Sequence, residues 1–219
     1  MIIFTKASLL IFFTILFATV AHSKPNELYR YLDPKTDLYG FKDVNGKIII
    51  PSQFDMVEAP DDSPLFSNKN KDLEYLVPVL KKCRFWRMNR EGQLKFECFY
   101  FDNGADYYEE GLTRFIKDGK VGFHTRKGEI KIQARYDFAS PFRNGYAYVC
   151  KGCYAQYPKN PTYAAASSGP CSHLNKDMYK SVISGAWGLI DKEGKEVVPL
   201  SYKSTEEVDE IAKRLKPNS

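Results

Sequence analysis

Histidine is scarce in this chain: three among 219 residues, at His22, His124 and His173. The side chain most often used for proton transfer near neutral pH therefore has few places to act. No Gly-x-Ser-x-Gly elbow, His-Glu-x-x-His helix or phosphate-binding glycine loop occurs, so the usual hydrolase, zinc-protease and nucleotide-site signatures are missing. His124 sits in an alternating strand pattern beside Phe123 and reads as a surface position. Glu109 and Glu110 precede Gly111 and read as a solvated loop. The expectation is no enzyme and no cofactor. Charge of one sign is also lacking, with Lys and Arg numbering 32 against 27 Asp and Glu, a formal net +5. That balance excludes a strongly basic nucleic-acid footprint. The cluster Lys81, Lys82, Arg84, Arg87 and Arg90 reads as a solvated strand edge that lysines keep from pairing.

One long apolar run exists, at the start. Lys6 is followed by an apolar stretch over residues 7–20 and by the small-x-small pattern Ala21-His22-Ser23. This is the layout of a secretory signal peptide, shorter than the roughly 20 residues of a membrane helix. No cysteine follows the apolar core, so no lipid anchor is expected. We expect residues 1–23 to be a signal peptide, the protein to be periplasmic or secreted, and no permanent membrane span after cleavage.

The rest of the chain repeats itself. Glycines 46, 92, 128 and 194 each close a turn, and an aromatic follows eight positions later every time: Phe54, Tyr100, Tyr136 and Tyr202. Six positions before the turn glycine stand Gly40, Trp86, Gly122 and Gly188, preceded by Tyr39, Phe85, Val121 and Trp187. The turns read Asp-Val-Asn-Gly, Asn-Arg-Glu-Gly, Thr-Arg-Lys-Gly and Asp-Lys-Glu-Gly. Asp, Asn or Thr at the first position can bond back to the backbone, and glycine supplies positive φ. With apolar alternation on both sides, each copy predicts a β-hairpin.

The residues Trp187-Gly188, Asp191-Lys192-Glu193-Gly194-Lys195, Val197-Val198-Pro199 and Tyr202 resemble the WG repeat family of bacterial proteins. So does Ser140-Pro141-Phe142-Arg143-Asn144-Gly145-Tyr146-Ala147-Tyr148-Val149, which is similar to that family's closing strand. The first copy has Tyr-Gly in place of the signature dipeptide, the third Val-Gly and the second Phe-Trp. The resemblance implies an all-β array of short hairpins, commonly exported, with no shared catalytic residues. The repeat-defining positions are Gly40, Gly46, Gly92, Gly122, Gly128, Trp187, Gly188 and Gly194.

The organisation expected is a lead-in over 24–37, four antiparallel hairpin repeats over 38–203, and a capping helix with tail over 204–219. Insertions fall near 60–72 and 154–184. Long excursions from short-loop repeats are more often functional or disordered than structural. Asp118-Gly119 reads as a tight turn joining the last strand of the second copy to the first of the third. At the end, Ser204-x-x-Glu207 resembles a capping box, and Val208, Ile211, Ala212 and Leu215 share one helical face. That predicts a helix over 205–215, stopped by Pro217 and covering the last repeat.

Five cysteines in an exported protein suggest disulfides first. If Arg90-Glu91 is a two-residue loop, Asn89 pairs with Gly92 and Cys83 faces Cys98. The same register sets Phe85 opposite Phe96, Val121 opposite Ile132 and Phe123 opposite Ile130. A type I turn with a bulge would instead shift pairing by one and separate the sulfurs. The Cys83–Cys98 bond is the expectation. For Cys150, Cys153 and Cys171 three readings stay open. Cys171 could bond either of the others, Cys150 could bond Cys153, or the three could join His173 as a zinc site. With five cysteines, at least one sulfur is free, metal-bound or intermolecular.

Tyr154, Tyr157, Tyr163 and His173 enter the long insertion, where tyrosines would give amphipathic contact surface. The functional expectation is a binding or scaffolding module for an unidentified protein or envelope glycan, with no nucleic-acid partner. An immunity or inhibitor protein against a secreted toxin is the alternative, and a Cys/His metal-binding or redox protein the third.

Overall fold

The computed structural model describes residues 27–58, 65, 75–102, 104–156 and 181–215. The chain is an all-β array of antiparallel hairpins with one C-terminal helix. Each repeat is a three-stranded unit rather than a bare hairpin. The first comprises β1 (Tyr29–Asp33), β2 (Leu38–Lys42) and β3 (Ile48–Phe54), followed by β4 (Met56–Val57). The second has β5 (Val77–Lys81), β6 (Arg84–Met88), β7 (Leu94–Cys98), β8 (Tyr100–Phe101) and β9 (Gly104–Ala105). The third runs through β10 (Leu112–Lys117), β11 (Lys120–Thr125), β12 (Ile130–Tyr136) and β13 (Phe138–Ala139). The fourth is β14 (Tyr146–Lys151), β17 (Ala186–Asp191) and β18 (Glu196–Tyr202), with β15 (Tyr154–Gln156) and β16 (Ser181–Ile183) inserted between its first two strands. Asp118-Gly119 therefore joins two strands of one unit, β10 and β11, rather than two units.

Short strands after the closing aromatic carry the chain from unit to unit. β4 pairs with β5, and β13 with β14. The largest sheet runs β12-β11-β10-β7-β6-β5-β4, and a second runs β13-β14-β17-β18. The cores form between neighbours. Phe41, Ile50 and Phe54 of the first unit pack with Val77, Val79 and Met88 of the second. Val121, Phe123, Ile132 and Tyr136 of the third pack with Ala147, Val149 and Ile190 of the fourth.

The turn chemistry is the one the sequence implies. Asp43 Oδ1 accepts the Asn45 and Lys47 amides, each at 2.9 Å, and Asp191 Oδ1 accepts the Glu193 and Lys195 amides. The four closing glycines have φ between 78° and 84°. The register, however, is the bulged one. Met88 pairs with Leu94, Arg87 with Phe96 and Trp86 with Glu97, which shifts Cys83 away from Cys98. In the third unit Val121 faces Tyr136, Phe123 faces Ile132 and His124 faces Ile130, not the pairing a two-residue loop would give.

That register explains the glycine of the signature dipeptide. In units one, three and four the third strand bulges twice, so that Tyr39 meets Phe54, Val121 meets Tyr136 and Trp187 meets Tyr202. The bulging strand passes directly over the glycine. A Cβ on Gly122 would lie 2.6 Å from the Ala134 amide nitrogen and 2.7 Å from the Ile132 carbonyl oxygen. Gly40 and Gly188 are crossed in the same way by Ile50 and Val198. The second unit has Trp86 at this position, and its third strand shows no bulge between Trp86 and Arg87.

Stacking follows one rule. The turn glycine of each later unit rests on the unit before it, with Gly92 against Ile50, Gly128 against Leu76 and Phe96, and Gly194 against Ile132. Ile50, Phe96 and Ile132 all stand four residues beyond their own turn glycine. The corresponding residue of the last unit, Val198, is covered by α1 (Thr205–Leu215), whose Val208 is fully buried beside it. The cap of this helix is formed as its sequence implies: Ser204 Oγ accepts the Glu207 amide, and the Glu207 carboxylate accepts the Lys203 amide at 2.8 Å. Tyr148 on β14 holds the helix through its hydroxyl on Asp209.

Candidate functional site

The 154–184 insertion stands where the other units have a tight turn. Lys117 pairs with Lys120 across Asp118-Gly119, and Lys151 pairs in the same way with Ala186. The insertion then departs as a hairpin, with Tyr154 opposite Ile183 and Gln156 opposite Ser181. Its root is rigidly built. Gly152 and Gly185 take positive φ, and the Gly152 amide donates to Asp137 at 2.6 Å, while Asp137 also pairs with Lys120. The Trp187 indole donates to the Ser184 carbonyl at 3.1 Å. Tyr154 is 58% exposed and points a large ring outward at this root. The other expected loop residues, Tyr157, Tyr163, Cys171 and His173, lie outside the described residues.

Cys150 and Cys153 are both buried at the root, in a cluster with Trp187, Leu189, Val198 and Val208. Burial raises both thiols above their ordinary range, Cys150 the more strongly. Neither is therefore an activated nucleophile. Cys83 and Cys98 are not bonded to each other. Cys83 is disulfide-bonded, whereas Cys98, Cys150 and Cys153 are free. Cys98 is a buried thiol pushed up to about 12 by desolvation. Among the described residues, no group of three His, Cys, Asp or Glu side chains could hold a metal ion.

A second polar centre lies between units two and three, and sequence reasoning missed it. Arg87 occupies the position held by Phe41, Phe123 and Leu189 in the other units, and it is buried rather than solvated. Its strand β6 lies inside the sheet, so the basic cluster is not an edge. The Arg87 guanidinium donates to the Asp106 carbonyl at 2.5 Å and lies 4.7 Å from the Tyr108 ring centroid. Asp106 itself binds Arg114 through two short hydrogen bonds, at 2.6 and 2.8 Å, with both side chains about 3% exposed or less. His124 is fully buried, not a surface residue. It stacks on Phe96 at 4.2 Å and bonds the Thr125 carbonyl through Nδ1. Desolvation lowers its pKa to about 4, so it is neutral near pH 7. In-phase alignment of Arg87 with three apolar residues was the one available signal for this centre.

At the other end of the array the first turn is uncovered among the described residues. None of them lies within 4 Å of where a Cβ on Gly46 would be, and Val44 and Ile48 are 73% and 56% exposed. Arg90, Arg126 and Lys192 occupy the Val44 position in the other three turns.

Three bulged units with a crossed glycine are thus stacked turn on strand. The chain carries WG repeats. Residues 39–67, 122–152 and 187–210 match the family described as WG containing repeat. No curated protein and no solved structure matches the chain. The WG match skips the second unit, the one with Trp86 in place of glycine and no paired bulges. A WG-repeat β-array of this kind is consistent with a protein-interaction or scaffolding module. Among the described residues, no helix is long and apolar enough to cross a membrane.

Proposed function

We propose that this protein is an exported WG-repeat binding module that recognises a protein or envelope component through the insertion of its fourth unit. The observation that carries this reading is the placement of that insertion. It replaces a two-residue turn, leaves the strand pairing of β14 and β17 intact, and grows from a braced root with an exposed tyrosine. An insertion that the array does not need for its pairing is free to serve recognition. Export rests on the apolar stretch and cleavage pattern of residues 1–23. The test replaces residues 152–185 with Asp-Gly, the turn of the third unit. The shortened chain should fold, because loop closure changes little with length, and should lose partners captured by the full chain from an envelope fraction. Undiminished capture would overturn the reading. Recovery of a single stoichiometric toxin would identify the module as an inhibitor.

The first turn, uncovered among the described residues, supports a second reading. The repeat turns at Gly92, Gly128 and Gly194 each receive an aliphatic or aromatic side chain from the unit before, so a partner presenting such a residue on an extended segment would continue the array. Val44→Asp would abolish binding in that case and leave it unchanged in the first.

A further inference from the structure

Cys150 and Cys153 meet at the corner where the chain leaves the β14–β17 pair for the insertion. Cys150 is held in register opposite Trp187 and Phe138, and Cys153 follows after Gly152, whose positive φ turns the chain back. The two sulfurs stand 2.5 Å apart. Both side chains are at least nine-tenths buried, and the remaining contacts of the Cys150 sulfur are weak ones, to the Lys151 and Ser184 carbonyls at 3.8 and 3.7 Å. The wall behind them leaves no slack. A Cβ on Gly185 would sit 2.7 Å from the Cys150 sulfur and 2.5 Å from the Cys153 nitrogen.

We propose that Cys150 and Cys153 are a cross-linking site, joined by a disulfide that clasps the root of the insertion. Formation joins the two sulfurs, releases two protons and passes two electrons to an oxidant that is itself a disulfide, such as oxidised glutathione or a thiol–disulfide oxidoreductase. That oxidant leaves as two thiols. The clasp is structural rather than catalytic, because a redox-active Cys-x-x-Cys exposes one low-pKa sulfur to its substrate, and here both sulfurs are covered by the sheet. It fixes the direction in which β15 departs, so that the hairpin meets β16 with Tyr154 opposite Ile183. Among the described cysteines Cys98 then remains unpaired, buried and unreactive.

The test does not depend on where the protein resides. The full chain, purified folded with reductant present, is held in oxidised glutathione until thiol loss stops, then unfolded in N-ethylmaleimide and cut with trypsin. Lys151 lies between the two cysteines, so cleavage there leaves peptides 144–151 and 152–159 joined only by the bond. The expected result is that this pair stays joined until reductant is added, with maleimide on Cys98. Maleimide on both Cys150 and Cys153, or either sulfur bonded to Cys83, Cys98 or Cys171, overturns the proposal. Dithiothreitol should open the bond at least about tenfold more slowly in the folded protein than in denaturant, because attack needs access to the sulfur. Equal rates would refute the structural role.

Discussion

Gly122→Ala isolates the reason for the signature glycine. Gly122 does not have positive φ, so alanine carries no backbone strain there, and any loss is steric. The added Cβ would stand 2.6 Å from the Ala134 nitrogen, 2.7 Å from the Ile132 oxygen and 2.6 Å from Phe115 Cε1. Two of these three atoms are backbone of the bulge, which the β11–β12 pairing holds on both sides, so relief requires moving a strand rather than rotating a side chain. Overpacking of this kind costs about 1–3 kcal/mol. With two fixed backbone atoms in the way we expect the top of that range, about 3 kcal/mol. In a domain of this size each kcal/mol lowers the melting temperature by about 2–4 °C, so the variant should melt about 6–12 °C lower. Thermal melts followed by circular dichroism, with urea unfolding for the free energy, measure it. Gly46→Ala is the control. Its φ of 84° strains alanine, but its surroundings are open, so the cost should be only about 1–2 kcal/mol. A Gly122→Ala variant within about 0.5 kcal/mol of the parent would refute the steric account, whose scale is the one cited.

The buried histidine makes stability pH-dependent. Its folded pKa near 4 lies below the unfolded value near 6.5, so its contribution is complete above pH 6.5 and is lost as pH falls toward 4. The full loss is about 3 kcal/mol; urea midpoints at pH 7, 5 and 4 should show it, and His124→Phe should flatten that part of the profile. Arg114→Ala should destabilise by about 3–5 kcal/mol, because it strands Asp106 as an unpaired buried charge. Combining Arg114→Met with Asp106→Leu should recover much of that in a double-mutant cycle, and purely additive losses would contradict a coupled pair. Gly194→Val puts a β-branched residue at φ 78° with its Cβ 3.2 Å from Ile132 and should cost about 2 kcal/mol or more; an unchanged melting temperature would show that the turn does not seat on the third unit.

The repeat phase and turn chemistry were legible because they are local. Asp43, Asn89, Thr125 and Asp191 bond to backbone within four residues, and the closing glycines answer a φ requirement inside the same turn. The helix over residues 205–215 was legible for the same reason, since its cap and apolar face are spelled within a few turns of chain. What the repeat alignment showed without explaining was the constancy of Gly40, Gly122 and Gly188. Their cause is the third strand crossing above them, a contact between residues far enough apart that periodicity carries no trace of it. The expected cysteine pairing failed at the same point. The turn and the irregularity between Arg87 and Met88 together shift the pairing by two residues, so that Phe96 meets Arg87 rather than Phe85 and Cys98 is carried past Cys83.

Sequence by itself determined that this chain is a β-repeat with a helical end, because hairpins and caps are encoded by neighbours. Only the tertiary structure decided which polar residues are interior. Arg87, Asp106, Arg114 and His124 have the composition of a surface and no motif to mark them, yet all are buried where the second and third units meet. Burial depends on what packs over a residue, and here the covering groups come from elsewhere in the chain: the Asp106 carboxylate on Arg114, and the rings of Phe96 and Tyr108 on His124.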